Sequence, residues 1–408
     1  MIVPLRIEAI VHGGEGLARH EGRVVFVRGA APGDLLEADL SGEGRFEHAH
    51  ALRILERGAA RVDAPCPIVG RCGGCPVQQV SYEAQLAAKQ ALTEDALERT
   101  GGFARGSYEL APIVASPAEF RYRRRARLHR VGDRWGFSRH GSAQIEPVDE
   151  CLLFEPALQK LADAVRAAGD LPGVTDLALL TAGSGKGAVD LGAAPVTKAL
   201  RARAERLLES VRALRGVTLG GQLLGDPVIA DAPLANGARL RSRPDLFAQA
   251  NRAAVPLLQR HALEAVGPAQ RVLELFCGSG TLTLPLLGDR EVTAVEGAGP
   301  SLGLLRKSAD EAGLAVKLVA ADAAKFFRAF TGEVDCVLLD PPRTGAHEVV
   351  RALAASRVPR IAYVSCDAPT LARDGRLLAA AGYKLLRAVP LDLFPQTAHF
   401  EIVATFVR

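Results

Sequence analysis

Cys366, in the stretch IAYVSCD at positions 361–367, is the residue here with the clearest chemical potential. Ile361, Tyr363 and Val364 read as the end of a buried strand, and Ser365, Cys366 and Asp367 follow where the apolar run stops. In an open α/β sheet, ligands bind at that carboxyl end. A cysteine there is either a buried core thiol, the usual fate of free Cys, or a nucleophile presented to a substrate. Its surroundings favour the nucleophile. Three strand-like runs, VTAVE, VKLVAAD and VDCVLLD, end in Glu296, Asp322 and Asp340. Ahead of them RVLELF leads into CGSGTLTLPLL, where Gly278 and Gly280 permit a sharp turn before an expected helix. The turn lacks the third glycine of a dinucleotide fingerprint, so no pyrophosphate clamp is needed. S-adenosylmethionine fits better than a nicotinamide dinucleotide. Glu296 is placed to accept hydrogen bonds from both ribose hydroxyls, and Asp322 to meet an adenine edge.

Asp340-Pro341-Pro342-Arg343 follows the fourth strand. An acid-Pro-Pro turn occurs in amino-group methyltransferases, where an aromatic residue normally follows to stack on the base. Arg343 replaces it here. A cytosine C5-methyltransferase would carry a cysteine after the proline, and none is present. Cys366 offers a different route. Uracil C5 is a poor nucleophile, but a thiolate adding to C6 makes an enolate whose C5 can attack a donor methyl. A base must then remove the C5 proton. Glu401, in PQTAHFEIV, is the candidate base, and the bland reading is a surface glutamate at a strand start. His399 reads as a supporting group.

Cys66, Cys72 and Cys75 form a C-x5-C-x2-C pattern with Gly73-Gly74 inside it. Glycines let backbone wrap tightly around a metal. Cys151 is the best fourth ligand, because Cys277, Cys336 and Cys366 fall in another domain. Four cysteines suit zinc or an iron–sulfur cluster, and a three-plus-one arrangement leans towards [4Fe-4S]. A disulfide framework is not expected in a chain read as cytoplasmic.

These groups need elements to hold them. At 408 residues and 48% hydrophobic content, the chain has room for two or three packed domains. No run of about 18 apolar residues suggests a membrane span, and Pro4, Arg6 and Glu8 break any signal-peptide pattern. A cytoplasmic location is therefore expected, with no obligate protein partner. The net charge of +4 is small, but residues 121–130 hold six arginines. Arg121, Arg123, Arg125 and Arg127 would share one strand face, which suits phosphate contact. Residues 1–58 read as an OB-like β-barrel, with runs IEAIV, RVVFV and LLEADL between turns HGGEG, GAAPGD and SGEG. Its aromatics are only Phe26 and Phe46. Residues 59–110 hold the cysteine loop and a helix over 81–100 with Ser81 as N-cap. Residues 111–235 alternate strands and helices, and 236–408 read as a Rossmann-like domain. The predicted class is multidomain α/β.

Taken together, the motifs resemble the RNA 5-methyluridine (uracil-C5) methyltransferases, particularly the iron–sulfur members that act on 23S ribosomal RNA. GEGLARHEGRVVFVRGAAPGD is similar to the family's N-terminal TRAM domain, and CPIVGRCGGC with Cys151 to its [4Fe-4S] ligand set. FAQAN, LELFCGSGTLTLPL, VEG, LLDPPRTGA, SCDAPTLARD and FPQTAHFE resemble its methyltransferase motifs. The resemblance implies donor contacts at Gln249, Phe276, Thr281, Glu296, Asp322 and Asp340. It implies Cys366 as nucleophile, Glu401 as base, and an RNA substrate, 23S ribosomal RNA first, with a uridine of transfer RNA as the alternative. Departures are Asp367 where the family usually has Asn, Thr281 where Asn or Asp is common, Gln396 where His is common, and no proline after Cys151. A carboxylate beside Cys366 disfavours the thiolate.

Overall fold

In the first strands Val3, Leu5, Val25, Val27, Leu36 and Ala38 are buried. Their two-residue spacing puts each set on one sheet face. A computed structural model describes residues 1–41, 47–169, 171–192 and 195–408. Its N-terminal sheet has six strands, in the order Ile2–Arg6, Leu35–Ser41, Glu47–Glu56, Arg23–Arg28, Gly16–His20, Ala9–Ile10. IEAIV is a strand only at Ala9–Ile10. The Ile7 and Glu8 amides donate instead to the Asp34 and Leu17 carbonyls. The Gly42–Gly44 part of the expected turn, and Phe46, lie outside the described residues.

The cysteine loop comes next, then helix α1 (Tyr82–Asp95), capped by Ser81 and extended by one wider π-turn over Ala96–Thr100. A seven-stranded middle sheet follows, packed on helices Pro156–Ala167 and Lys198–Ser210 through Leu158, Leu161, Leu200 and Leu207. The arginine-rich strand differs from expectation. It spans Arg125–Val131, so only Arg125 and Arg127 share the predicted face. Arg121 sits in a turn at φ 56°. Arg124 is fully buried, with Nη1 donating to both Asp231 oxygens and Nε to the Gln249 carbonyl. A short antiparallel ladder of Ile229–Pro233 with Arg239–Ser242 straddles the division drawn at 235/236.

The C-terminal sheet contains β1 (Arg271–Leu275), β2 (Glu291–Glu296), β3 (Lys317–Ala320), β4 (Cys336–Leu339), β5 (Arg360–Ser365), β6 (Lys384–Leu391) and β7 (Glu401–Val407). Their order is β3-β2-β1-β4-β5-β7-β6, with Glu109–Leu110 added at the far edge. β1 to β5 are parallel and β7 is antiparallel to both neighbours. Near-continuous apolar runs such as Val337–Leu339 and Ile361–Val364 are buried on both faces, as a covered parallel sheet requires. After β1 the expected helix is absent. Turns lead only to a 3₁₀ turn at Leu284–Leu286. Pro285 supplies no amide donor and Gly288 follows at φ 110°, so a longer helix has little to propagate on.

Candidate active site at the strand ends

The antiparallel register does the first part of the assembly. Ser365 of β5 pairs with Ile402 of β7, so the next step along each strand sets Cys366 against Glu401. Asp340 follows β4 on the other side of β5. Glu401 is 5% exposed, which removes the surface-glutamate reading. Cys366 is half-buried. The electrostatics agree with this crowding. Burial, then the Glu401 and Asp340 carboxylates, push the Cys366 thiol up to about 11. Burial lifts Asp340 to about 7, and burial plus Asp340 holds Glu401 well above the usual carboxylate range. Burial, Arg343 and His12 lower His399 to about 4, so it is neutral near pH 7. The free protein therefore keeps its thiol protonated. Alkylation of Cys366 by iodoacetamide, followed by peptide mass spectrometry, should rise about tenfold per pH unit between pH 7 and 9. A plateau below pH 8 would contradict that environment.

Helix α2 (Ala368–Ala380) starts at the nucleophile. Asp367 caps it, Oδ1 accepting the Thr370 amide at 2.9 Å. Within α2, the fully buried Asp374 accepts hydrogen bonds from the Tyr363 hydroxyl at 2.8 Å and the Ala346 amide at 3.1 Å. It thereby fixes the end of the Asp340–Ala346 loop to both β5 and α2.

The loop that delivers Glu401 is held by four residues from three separate segments. Gln85 of α1 donates to Gln396 Oε1 at 3.0 Å and accepts the Gln396 amide at 2.9 Å. Lys89, also of α1, donates to Asp392 at 2.7 Å with both side chains nearly inaccessible. Tyr122 donates to the Pro395 carbonyl at 3.0 Å and Asn251 to the Leu393 carbonyl at 3.0 Å. None of these four was singled out in the sequence. Gln85, Lys89 and Thr93 are buried at four-residue spacing, one polar stripe on α1 that composition alone marks as solvent-facing. Lys89→Met should leave the Asp392 carboxylate buried and unpaired. We expect a loss of about 3–5 kcal/mol in urea denaturation.

Of the candidate donor residues, Phe276, Thr281, Glu296 and Asp340 lie at or just past the ends of β1, β2 and β4. Phe276 and Gly278 take positive φ, 65° and 54°. Gly280 has φ 90°, and a Cβ there would lie 2.5 Å from Leu305. Glu296 accepts the Gly278 amide at 3.0 Å and the Ala298 amide at 2.8 Å, tying the second strand end to the glycine turn. Thr281 continues that turn, its carbonyl accepting from Gln259. Asp322 lies beyond β3 and caps the next helix through the Lys325 amide at 2.8 Å. Gln249 is buried beside Arg124. Carboxylates at neighbouring strand ends above a glycine turn form an acceptor set suited to ribose and adenine.

Cys66, Cys72, Cys75 and Cys151 line one cavity of about 90 Å³ with Arg123. Burial and the neighbouring thiols raise Cys75 to about 12, and burial raises Cys72 and Cys151. Among the described residues, no three His, Cys, Asp or Glu side chains stand in a set that would hold one metal ion. Arg123 Nε is buried without a hydrogen-bond partner.

The arrangement defines a methyltransferase-like α/β fold carrying a cysteine–carboxylate pair at its strand ends. Comparison with known proteins agrees. Residues 235–407 match the family model for tRNA (uracil-5-)-methyltransferases. A 23S rRNA (uracil(1939)-C(5))-methyltransferase RlmD of Pseudomonas putida is 35% identical, over 98% of this chain and 93% of its own. The enzyme of the same name from Dechloromonas aromatica is 33% identical, over 98% of both chains. In fold, the chain is similar to the Pyrococcus abyssi tRNA (uracil-54, C5)-methyltransferase crystallised with S-adenosyl-L-homocysteine, with a TM-score of 0.78, 21% identity and 99% coverage of each chain. The chain belongs to the RNA uracil-C5 methyltransferase family. No helix among the described residues is long and apolar enough to cross a membrane.

Proposed function

We propose that this protein transfers a methyl group from S-adenosylmethionine to C5 of a uridine in 23S ribosomal RNA. The observation that carries the reading is the β5–β7 register, which sets the Cys366 thiol against the buried Glu401 carboxylate. When bound, S-adenosylmethionine supplies an electrophilic methyl on a sulfonium. Gln249, Phe276, Thr281, Glu296, Asp322 and Asp340 are the residues to hold it. A sulfonium held by these residues would favour the ionised forms of Asp340, Glu401 and the Cys366 thiol. Cys366 then adds to uracil C6, forming the S–C6 bond as the C5–C6 π pair moves into an enolate. C5 uses that pair to take the methyl as the donor's S–CH3 bond breaks; the bond pair stays on sulfur and S-adenosylhomocysteine is the leaving group. Glu401 accepts the C5 proton, and the C5–H pair re-forms the double bond as the S–C6 bond breaks and the thiolate leaves.

A cleft of about 750 Å³ between the N-terminal sheet and the cysteine loop supports an RNA substrate. It is lined by Arg28, Arg53, Arg71, Arg139, His50 and His140. Among the described residues, the four guanidiniums pair with three carboxylates, those of Glu15, Glu37 and Glu146, so the cleft is attractive to phosphate. The N-terminal domain is read as the TRAM unit that presents this surface.

The four-cysteine cavity fits a [4Fe-4S] cluster. A thiolate-ligated cluster also supplies negative charge for Arg123, whose guanidinium is otherwise buried against thiols. With four cysteine ligands the cluster would fasten the 66–75 loop to the middle domain.

The test is methylation in vitro with purified protein, 23S rRNA and tRNA transcripts, read by nucleoside mass spectrometry. We expect 5-methyluridine in the 23S rRNA. An N-methylated product would point to the Asp340-Pro-Pro turn instead, and 5-methyluridine confined to tRNA would overturn the choice of RNA.

A further inference from the structure

We propose that Arg71 and Arg139, pinned together on the Glu146 carboxylate, form a binding site for a phosphodiester of the RNA substrate, with Glu146 as its positioning residue. The inference rests on reading the cleft they line as the RNA-binding surface.

Charge singles out one part of the cleft. Arg28 and Arg53 each pair with a carboxylate of their own, Glu15 at 3.1 Å and Glu37 at 3.0 Å. Arg71 and Arg139 share one. Arg71 Nε meets Glu146 Oε1 at 2.9 Å, and Arg139 meets Oε2 with Nε at 3.0 Å and Nη2 at 2.9 Å. The cleft's surplus positive charge therefore belongs to this pair. The Glu146 side chain is 8% exposed, against 58% for Arg71 and 44% for Arg139. Both arginines line the cleft and Glu146 does not. Burial alone would raise Glu146, but the two guanidiniums hold it below the usual carboxylate range, so the anchor is ionised at neutral pH. Neither Nη group of Arg71 has a partner among the described residues. Open guanidinium edges held near each other match the oxygens of a phosphodiester, which accept paired N–H donors.

Two segments assemble the pair. Arg71 comes from the cysteine loop, and Arg139 and Glu146 from the hairpin of Arg134–Ser138 with Ile145–Pro147. Backbone contacts already join the two. The Gly73 amide donates to the Ser138 carbonyl at 3.0 Å, and Cys72 and Arg139 form an antiparallel bridge. Gly73 packs so closely there that a Cβ would lie 2.9 Å from the Ser138 carbonyl oxygen. Fastening the loop does not depend on the ion pairs, and one arginine would suffice for it. The second guanidinium is ordered from its own side. The Arg139 amide donates to the Gln144 carbonyl at 2.8 Å and Nη1 to Gln144 Oε1 at 3.2 Å. A phosphate arriving at the pair meets donors already held in place, so little side-chain freedom is lost on binding.

The experiment measures filter binding of a 23S rRNA transcript to the full chain between about 50 and 200 mM salt. The proteins are wild type, Arg71→Gln, Arg139→Gln, Glu146→Gln and Arg201→Gln. Arg201, paired with Glu205 on the Lys198–Ser210 helix, controls for a charge lost elsewhere. Arg71→Gln and Arg139→Gln should each weaken binding roughly three- to tenfold and lower the slope of log affinity against log salt by about 0.7–1. Glu146→Gln gives the cleft one more net positive charge, so a site working by charge alone would bind RNA more tightly. Anchored guanidiniums predict the opposite, a loss of about threefold, which should shrink below about twofold when both arginines are already glutamine. In methyl transfer the arginine variants should raise KM for RNA and leave kcat within about twofold. Donor binding by calorimetry and alkylation of Cys366 should match wild type throughout. Arginine variants that behave as Arg201→Gln would overturn the proposal, and unchanged or tighter binding by Glu146→Gln would overturn the positioning role. Donor binding or alkylation that shifts together with RNA affinity would assign the ion pairs to holding the fold instead. If the arginine variants lose RNA affinity as expected while the wild type makes no 5-methyluridine, the assigned reaction fails and the phosphate site stands.

Discussion

Cys366→Ala should abolish methyl transfer, by roughly 10,000-fold or more, while S-adenosylmethionine still binds. The thiol stands past the end of β5, and Phe276, Glu296 and Asp340, among the groups proposed for the donor, lie at the ends of β1, β2 and β4. Removing one sulfur leaves the glycine turn, Glu296 and Asp340 in place. Uracil C5 without an adduct at C6 has too little electron density to attack a methyl group, so no alternative route of comparable rate remains. The double measurement is turnover on RNA and donor binding by calorimetry. RNA carrying 5-fluorouridine should form a denaturation-resistant adduct with the wild type and none with the variant, because fluorine cannot leave as a proton. Turnover within tenfold of wild type would remove the covalent route.

Glu401→Gln should stall the reaction one step later. Glutamine matches the buried glutamate in size, but it cannot take the C5 proton. Methyl transfer should proceed once, and the methylated RNA should stay bonded to Cys366. Release should fall by about 100- to 10,000-fold. Labelled methyl should then migrate with the protein on a denaturing gel, in an amount close to that of the enzyme. Free 5-methyluridine at the wild-type rate would assign the base to another group, with Asp340 the first to examine.

Much of this site could be read from the chain because chemistry and periodicity coincided there. The apolar runs ending in Glu296, Asp340 and Cys366 are strands whose ends carry polar groups, and a doubly wound sheet puts such ends on one edge. Ser81 was equally legible, since capping is a local pattern, and the four spaced cysteines do line one cavity. The arginine run was misread in part. Alternation predicted one exposed face, but a turn at Arg121 delays the strand, and Arg124 spends its charge on Asp231 in the interior. The helix after the glycine turn was lost to Pro285. The clamps on the Glu401 loop had no local signature at all. Gln85, Lys89, Tyr122 and Asn251 look like ordinary surface residues until the fold brings their partners to them.

Those clamps bear on how the chain matures at the ribosome. Gln85 and Lys89 meet their partners 311 and 303 residues further along. Contacts of such separation form late, because the intervening loop must first be closed. A nascent polypeptide can fold its first sheet and its glycine turn long before Glu401 is seated. Translation interrupted before the last β-strands would thus release a product that lacks Glu401 and the partners that Gln85 and Lys89 need.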